Sequence, residues 1–341
     1  MKIQSKAPCR VDLAGGTLDI WPLYLFHRNA VTVNIAVDRY TSCRIETRPD
    51  SEIRLASDDL KTEETYPSLA ALRESKKRRL PLAGEILKFF TPEGGIDLRT
   101  NSEAPAGAGI AGSSALIIAT CAALNRLTGA GYRIEKIREI AQNIEARIIH
   151  VPTGCQDYYP AMYGGVSAID LRPDGIERIA LDVPPEEVNQ RVVLAYTGEP
   201  RNSGINNWEV TKAHVDGDKT VFRNFEKIAA ISHSMRQAVA SRDWTEVARL
   251  LREEWVNRKK NAPGITTPLI DRLIDLTRKA GSTGAKVCGA GGGGCVLFLV
   301  EPGAGQRVAK ALADGGGEIL PFRVAAQGLT LASPAIVRAK A

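Results

Sequence analysis

This chain is poor in the residues that usually hold metals or disulfides. Its four histidines, His27, His150, His214 and His233, are nowhere spaced as a ligand pair, which argues against a structural zinc site. Its six cysteines (Cys9, Cys43, Cys121, Cys155, Cys288 and Cys295) form no C-x-x-C pair and sit mostly among apolar residues, so reduced, buried thiols are expected. No run of about 18 apolar residues occurs, and the N-terminal Met1-Lys2-Ile3-Gln4-Ser5-Lys6 has no apolar stretch of signal-peptide length. A cytoplasmic protein with no membrane partner is the expectation. Internal repeats and low-complexity tracts are absent. The densest basic run, Lys76-Lys77-Arg78-Arg79, lacks interleaved aromatics and reads as a solvated face or loop. With 45 basic against 39 acidic residues the formal charge is only +6, which suits anionic small molecules and does not call for nucleic acid.

What the chain does have is length, glycine and apolar residues. Its 341 residues exceed one ordinary core and should divide into two domains, with Pro184-Pro185 as the boundary between 1–184 and 185–341. Strand-like runs come first, Val31–Val37 and Thr41–Thr47, separated by the turn-prone Asp38-Arg39; strands before any long helix suggest an antiparallel or mixed sheet. Residues 50–80 are charged and weakly periodic, as in a peripheral excursion. Helices are expected near 113–127, 134–149, 219–241, 244–259 and 267–280, and strands over 166–171 and 191–196.

The stretch Pro105-Ala106-Gly107-Ala108-Gly109-Ile110-Ala111-Gly112-Ser113-Ser114 runs straight into the first of those helices. Its glycines let backbone N–H groups turn toward one centre, and the helix start adds unpaired N–H groups and the positive end of its dipole, which together make a phosphate cradle. Gly107 and Gly112 have Walker A spacing, but Ser113-Ser114 stand where the loop's lysine should be, so a metal and other side chains must neutralise the phosphates. A tight turn with Ser113 capping the helix is the alternative. A second glycine run, Gly289 to Gly294, matches G-x-G-x-x-G literally but leads into the strand-like Cys295–Val300 instead of a helix, which argues against a dinucleotide loop. It reads as a hairpin turn that packs beside the cradle.

Three acids and one arginine carry the remaining chemistry. In the 134–149 helix the apolar residues fall within about 120° of arc, and Glu145 projects about 20° beyond that stripe, at the rim of the buried face. Asp157 follows twelve residues later, after the helix-breaking Pro152-Thr153-Gly154. One acid can hold Mg²⁺ while the other orients or deprotonates a hydroxyl; a helix-edge charge and an Asx-turn residue are the alternatives. Near the N-terminus, Arg10 is placed to neutralise a transferring phosphoryl group. Asp19, after the Gly15-Gly16 pair, is placed to accept polyol hydroxyls; ordinary surface residues are the alternative for both.

Together these segments resemble the GHMP kinase superfamily, whose three motifs match in order at 7–19, 103–115 and 284–295. The resemblance implies an α+β fold, with an N-terminal domain like domain 2 of ribosomal protein S5 and a ferredoxin-like C-terminal domain. It also implies ATP and Mg²⁺ as cofactors. Pro105, Gly107, Ala108, Gly109, Ile110, Ala111, Gly112, Ser113 and Ser114 would wrap the ATP phosphates, with Ser113 and Glu145 on the metal. Asp157 would be the catalytic base, and Arg10 would stabilise charge on the phosphoryl group. The implied substrate wall is Gly16, Thr17, Asp19, Gly154, Asp157, Gly291 and Gly292. Ala14-Gly15-Gly16 and Asp19, with Thr197-Gly198 and Arg201-Asn202-Ser203, look like the D-glycero-D-manno-heptose 7-phosphate kinase branch, whose usual form Phe-Ala-Gly-Gly-Gly-Thr-Asp departs at Thr17-Leu18. The expected activity is an ATP-dependent sugar kinase acting on the anomeric hydroxyl of that heptose phosphate or a similar sugar. A mevalonate-branch kinase or ATP-dependent decarboxylase is the alternative, and a sugar-sensing regulator without activity is a third class. The oligomeric state stays open, with a homodimer among the alternatives.

Overall fold

The strand-rich first half builds one eight-stranded sheet in the structure, a computed structural model that describes residues 1–200 and 203–332. Its members are β1 (Lys2–Ala14), β2 (Val31–Arg48), β3 (Ile53–Ser57), β4 (Thr62–Tyr66), β5 (Gly95–Ser102), β6 (Val166–Arg172) and β7 (Gly175–Leu181), with one late strand. A second sheet holds β8 (Val192–Tyr196), β9 (Ser282–Val287), β10 (Cys295–Val300) and β11 (Glu318–Ile319). The late strand β12 (Thr330–Ala332) returns to pair with β1. The first sheet runs β12-β1-β2-β5-β3-β4, and β6 and β7 extend from the first half of β2.

The turn expected at Asp38-Arg39 does not form. β2 passes through it as one strand, and its register against β1 skips from Pro8↔Tyr40 to Cys9↔Val37, so the two residues bulge. A distant segment holds the bulge: Asp38 N–H donates to the Arg323 carbonyl at 2.9 Å, and Arg323 N–H donates to the Asp38 carboxylate at 2.6 Å. Residues 50–80 also depart from expectation. They form the β3–β4 hairpin, with β3 parallel to β5, followed by α1 (Leu69–Glu74). Both strands are only five residues long and β4 contains no aliphatic residue, so neither offers an apolar alternation long enough to read.

Next come α2 (Pro81–Phe90), α3 (Gly112–Thr128) and α4 (Ile134–Ile149), then α5 (Tyr158–Tyr163), α6 (Pro185–Asn189) and α7 (Ser203–Val215). The last four are α8 (Lys219–Ala240), α9 (Trp244–Arg258), α10 (Pro268–Arg278) and α11 (Gly305–Asp314). The five helices expected from periodicity appear within two residues of their predicted ends. Three of them start on side-chain caps: Asp218 accepts from Thr220 and Val221 N–H, Asp243 from Glu246 N–H and Thr267 from Ile270 N–H. α3 carries no charge before Arg126 and buries Ala115, Ile117, Ile118, Cys121 and Leu124 against β1 and β2.

The second sheet is antiparallel in the order β11-β8-β10-β9. Counted within the unit that is 4-1-3-2, with helices before its second and fourth strands, which is the ferredoxin-like arrangement. We propose 184/185 as the domain boundary on the strength of the two sheets, with the chain crossing back at β12. One continuous core joins them: Val11 and Ile35 from the first sheet share it with Leu194, Leu297 and Leu299 from the second and Met235 from α8. Among the described residues no helix is long and apolar enough to cross a membrane.

Candidate active site

Helix α3 begins without a side-chain cap. Ala111 takes the N-cap position in the left-handed region (φ 62°), and Ser113, the residue expected as an alternative cap, sends its hydroxyl elsewhere. The first N–H groups of α3 therefore face a cavity of about 500 Å³ that all ten residues from Pro105 to Ser114 line. Gly107 and Gly109 (φ 69° and 78°) shape the loop. Three bonds pin it from outside. Arg10 N–H donates to Ile110 O at 2.9 Å, Arg10 Nη1 to Gly109 O at 2.9 Å, and Cys295 N–H to Ala108 O at 2.7 Å.

The last of these bonds seats the second glycine run beside the first loop. A Cβ on Gly294 would lie 2.7 Å from Ala108 O, so only glycine permits that approach. The expected substrate wall needs correction here. Gly289 and Ala290 line the cavity, whereas Gly291 and Gly292 turn away to the 265 loop, where Gly292 N–H donates to Ile265 O at 2.9 Å. Thr197 N–H donates to Gly294 O at 3.0 Å, next to the hairpin. Arg201 and Asn202, the rest of that sequence match, lie outside the described residues, and nothing is described of the Ser203 side chain.

Ser113 and Glu145 come together at the mouth of the loop. Glu145 accepts from Ser113 at 2.6 Å, Ser114 at 2.9 Å and the Tyr158 hydroxyl at 2.5 Å. Burial raises its pKa, and the hydroxyl donors only partly offset that. Because Ser113 donates its proton to Glu145, its oxygen lone pairs stay available. A hydroxyl and a carboxylate beside an anion cradle form an all-oxygen donor set, which fits Mg²⁺, a hard ion that completes its shell with phosphate oxygens and water.

Arg10 and Asp157 also meet. Arg10 Nε and Nη2 both donate to Asp157 Oδ1, at 2.8 and 2.6 Å, and the Asp157 side chain is 24% exposed on the cavity. Behind Arg10, and wholly buried, lies Asp12, 3.5 Å from Nη1. Asp12 Oδ2 is ion-paired with Lys286, and Oδ1 accepts Gly289 N–H at 3.0 Å. Lys286 lies 3.7 Å from Glu254, which pairs with Arg258 at 2.9 Å. Arg258 in turn donates to Gly16 O at 2.6 Å and Gly289 O at 3.0 Å. Burial pushes the Asp12 pKa up, but the Lys286, Arg10 and Arg258 cations outweigh it and hold the carboxyl well below the usual range. Burial lowers the Arg10 pKa, and the Asp157 and Asp12 charges more than reverse that.

Asp19 is buried in the wall of the cavity with Gly16, Thr17 and Gly154. Its Oδ2 accepts Gln156 N–H at 2.9 Å, and a Cβ on Gly154 would collide with its carboxylate. Thr17 holds φ 74°, a left-handed conformation that costs a residue with a Cβ about 1–2 kcal/mol. Burial, aided by the nearby Asp157 charge, pushes Asp19 up to about 7, with the Gln156 N–H opposing.

Sequence reasoning missed Asp12, Lys286, Glu254, Arg258, Gln156 and Tyr158. Asp12 was findable, because residues two apart on a strand share a face and Arg10 was already singled out. Lys286 lies 274 residues from its partner, and no local pattern reports such a pairing. The basic run also holds more than a solvated loop. Arg78 is half-buried against Glu85, and Arg79 lines the cavity with Ser57, Asp59 and Leu60.

The Asp19 shift has a stability consequence. Its folded pKa of about 7 exceeds the unfolded value of about 3.9, so its contribution is fully present below pH ~4 and is lost as pH rises through ~7. Asp19→Asn keeps the acceptor for Gln156 N–H without the charge. Urea unfolding should show the variant more stable than the parent at pH 8, with the gain shrinking toward pH 5; an equal gain at both would contradict the shift.

Comparison with known proteins agrees with this geometry. Residues 77–165 match the model for the GHMP kinases N terminal domain, and residues 235–317 match the GHMP kinases C terminal model. The chain is 26% identical to a D-glycero-alpha-D-manno-heptose 7-phosphate kinase of Campylobacter jejuni, over 96% of this chain and 98% of that one. It is 24% identical to a mevalonate kinase of Pyrococcus horikoshii, over 87% and 90%. The crystal structure of a D-glycero-D-manno-heptose 1-phosphate kinase from Bacteroides thetaiotaomicron superposes with a TM-score of 0.78 at 24% identity, covering 97% of this chain and 99% of that one. With an uncapped cradle, a second glycine loop seated on it and two family models that together span about half the chain, this protein belongs to the GHMP kinases and is an ATP-dependent kinase.

Proposed function

We propose that the protein transfers the γ-phosphoryl group of ATP to a hydroxyl of D-glycero-D-manno-heptose 7-phosphate or a similar sugar, at the anomeric position. The observation that carries this reading is the buried Asp19 carboxylate, set in the cavity wall near Asp157 and bonded to the preceding Gln156 N–H. In its ionised form, which bound hydroxyls favour, the Asp19 carboxylate accepts sugar hydroxyls, each charge-assisted bond contributing roughly 1.5–3 kcal/mol. Heptose 7-phosphate and heptose 1-phosphate kinases are among the proteins this chain is similar to, which supports the sugar assignment.

In this reading the nucleobase occupies the end of the cavity walled by Leu60, Leu80 and Leu82, the phosphates lie along Gly107 to Ser114, and the acceptor sits between Asp19 and Asp157. Ser113 and Glu145 would hold Mg²⁺, which supplies charge neutralisation of the phosphates when bound. The amides of the loop and of the α3 N-terminus bind the transferring group. Arg10 stabilises its negative charge and fixes Asp157. Both Arg10 donors engage Oδ1, which leaves Oδ2 to take the acceptor proton.

Incubation with ATP, Mg²⁺ and a panel of heptose phosphates, other sugars and mevalonate, followed by ADP release, tests the assignment. Turnover with a heptose phosphate is expected, and turnover with mevalonate alone would replace it with the mevalonate-branch reading. Asp157→Asn should keep the fold and ATP affinity while lowering kcat at least about 10²-fold; near-normal turnover would remove the proton-accepting role. Glu145→Gln exchanges an anionic ligand oxygen for a neutral one, so half-maximal activity should require more Mg²⁺. An unchanged Mg²⁺ titration would make Glu145 a purely structural partner of the three hydroxyls.

A further inference from the structure

Three buried charged groups lie behind the cavity and do not line it: Lys286 on β9, and Glu254 and Arg258 on α9. With Asp157, Arg10 and Asp12 they form one chain in which the sign of charge alternates at every step. Arg10 is the link that matters for chemistry, because it stands between two carboxylates. Toward Asp157 it makes two hydrogen bonds, whereas toward Asp12 the separation is 3.5 Å and Nη1 is committed to Gly109 O instead. Asp12 does not compete because its oxygens are already taken, one by Lys286 and one by Gly289 N–H.

We propose that Lys286 is a positioning residue for phosphoryl transfer: by satisfying Asp12 from behind, it keeps the Arg10 guanidinium on Asp157. The proposal rests on the reading of Asp157 as the carboxylate that orients the acceptor. Without the ammonium group, Asp12 would be a fully buried carboxylate with a single backbone donor; of the two other cations that act on it, Arg258 has its donors held by Glu254, Gly16 O and Gly289 O, and Arg10 already lies 3.5 Å away. In a low-dielectric interior that pull is strong, and an unpaired buried charge is costly enough to reorganise its neighbours. Arg10 would turn toward Asp12, and Asp157 would lose both of its donors. A shift of this kind at the reacting group, caused by a residue that never touches substrate, reduces rate more than affinity.

The test uses the full-length protein with ATP, Mg²⁺ and heptose 7-phosphate or whichever panel acceptor supports turnover. Lys286→Met is expected to lower kcat about 10²-fold while KM for ATP and acceptor changes less than about threefold. Lys286→Arg, which keeps the charge, should recover kcat to within about tenfold. The double variant Asp12→Asn with Lys286→Met removes the competing carboxylate together with its partner, and it too should stay within about tenfold of the parent. That double variant decides the matter if Lys286→Met alone does not fold, because a folded double variant with kcat still down about 10²-fold would overturn the proposal. Normal kcat in Lys286→Met, or a loss confined to KM, would overturn it equally. NMR of the arginine Nε–H groups reads the same point without any acceptor. The Arg10 signal, assigned by its loss in Arg10→Lys, should move in Lys286→Met as Nε–H leaves the Asp157 carboxylate, and return toward the parent position in the double variant; an unchanged chemical shift in Lys286→Met would count against the proposal. Asp157→Asn run alongside separates the two claims: if it keeps its turnover, the reading of Asp157 fails, and if it loses turnover while Lys286→Met does not, the role of Lys286 fails.

Discussion

Six charged side chains, five of them almost wholly buried, hold the two sheets of this protein in register around one cavity. Arg10 and Asp12 come from β1 of the first sheet, Lys286 from β9 of the second, and Glu254 and Arg258 from α9. Removing so many charges from water is unfavourable for each ion taken singly. It becomes tolerable because the signs alternate, so every charge has an opposite neighbour on each side except at the exposed end, Asp157, and at Arg258, whose remaining donors go to carbonyls. The arrangement exists only when both sheets are in place. Neither domain carries a balanced share of it.

The backbone of the cavity hangs on that chain. Arg10 fixes the first glycine loop through Gly109 and Ile110, Asp12 fixes the second through Gly289, and Arg258 fixes Gly16 next to Asp19. Glycine is required where the loops meet, since a side chain at Gly294 would strike Ala108 O. The uncapped start of α3 then offers its N–H groups to an anion, and the Ser113–Glu145 pair offers oxygen donors beside it.

Much of this was legible residue by residue. The 3.6-residue period of α4 made the inward tilt of Glu145 a matter of counting, whereas α3, apolar on nearly every side, was legible from its long uncharged run after the glycine loop. The failures have local causes. Asp38-Arg39 carries a turn signal that is spent as a bulge because Arg323 arrives to hold it. The β3–β4 hairpin is built from five-residue strands, and its edge member β4 carries no aliphatic residue, so there was no apolar alternation to count. The glycine run was correctly placed beside the cradle, but which of its residues face the cavity depends on the 265 loop against which Gly291 and Gly292 turn.

What the sequence determined by itself is the set of elements and the chemistry they carry: a glycine loop feeding a helix, a second glycine loop between strands, and three acids and an arginine at positions that resemble a kinase family. These are local properties, set by backbone conformation, periodicity and motif spacing over a few residues. Only the tertiary structure decided which groups neutralise which. Lys286 and Asp12 are hundreds of residues apart, and Asp19 acquires its raised pKa from burial and from a neighbour that the fold delivers. Electrostatic energy depends on distance in space and on the loss of water, and neither quantity is written along the chain.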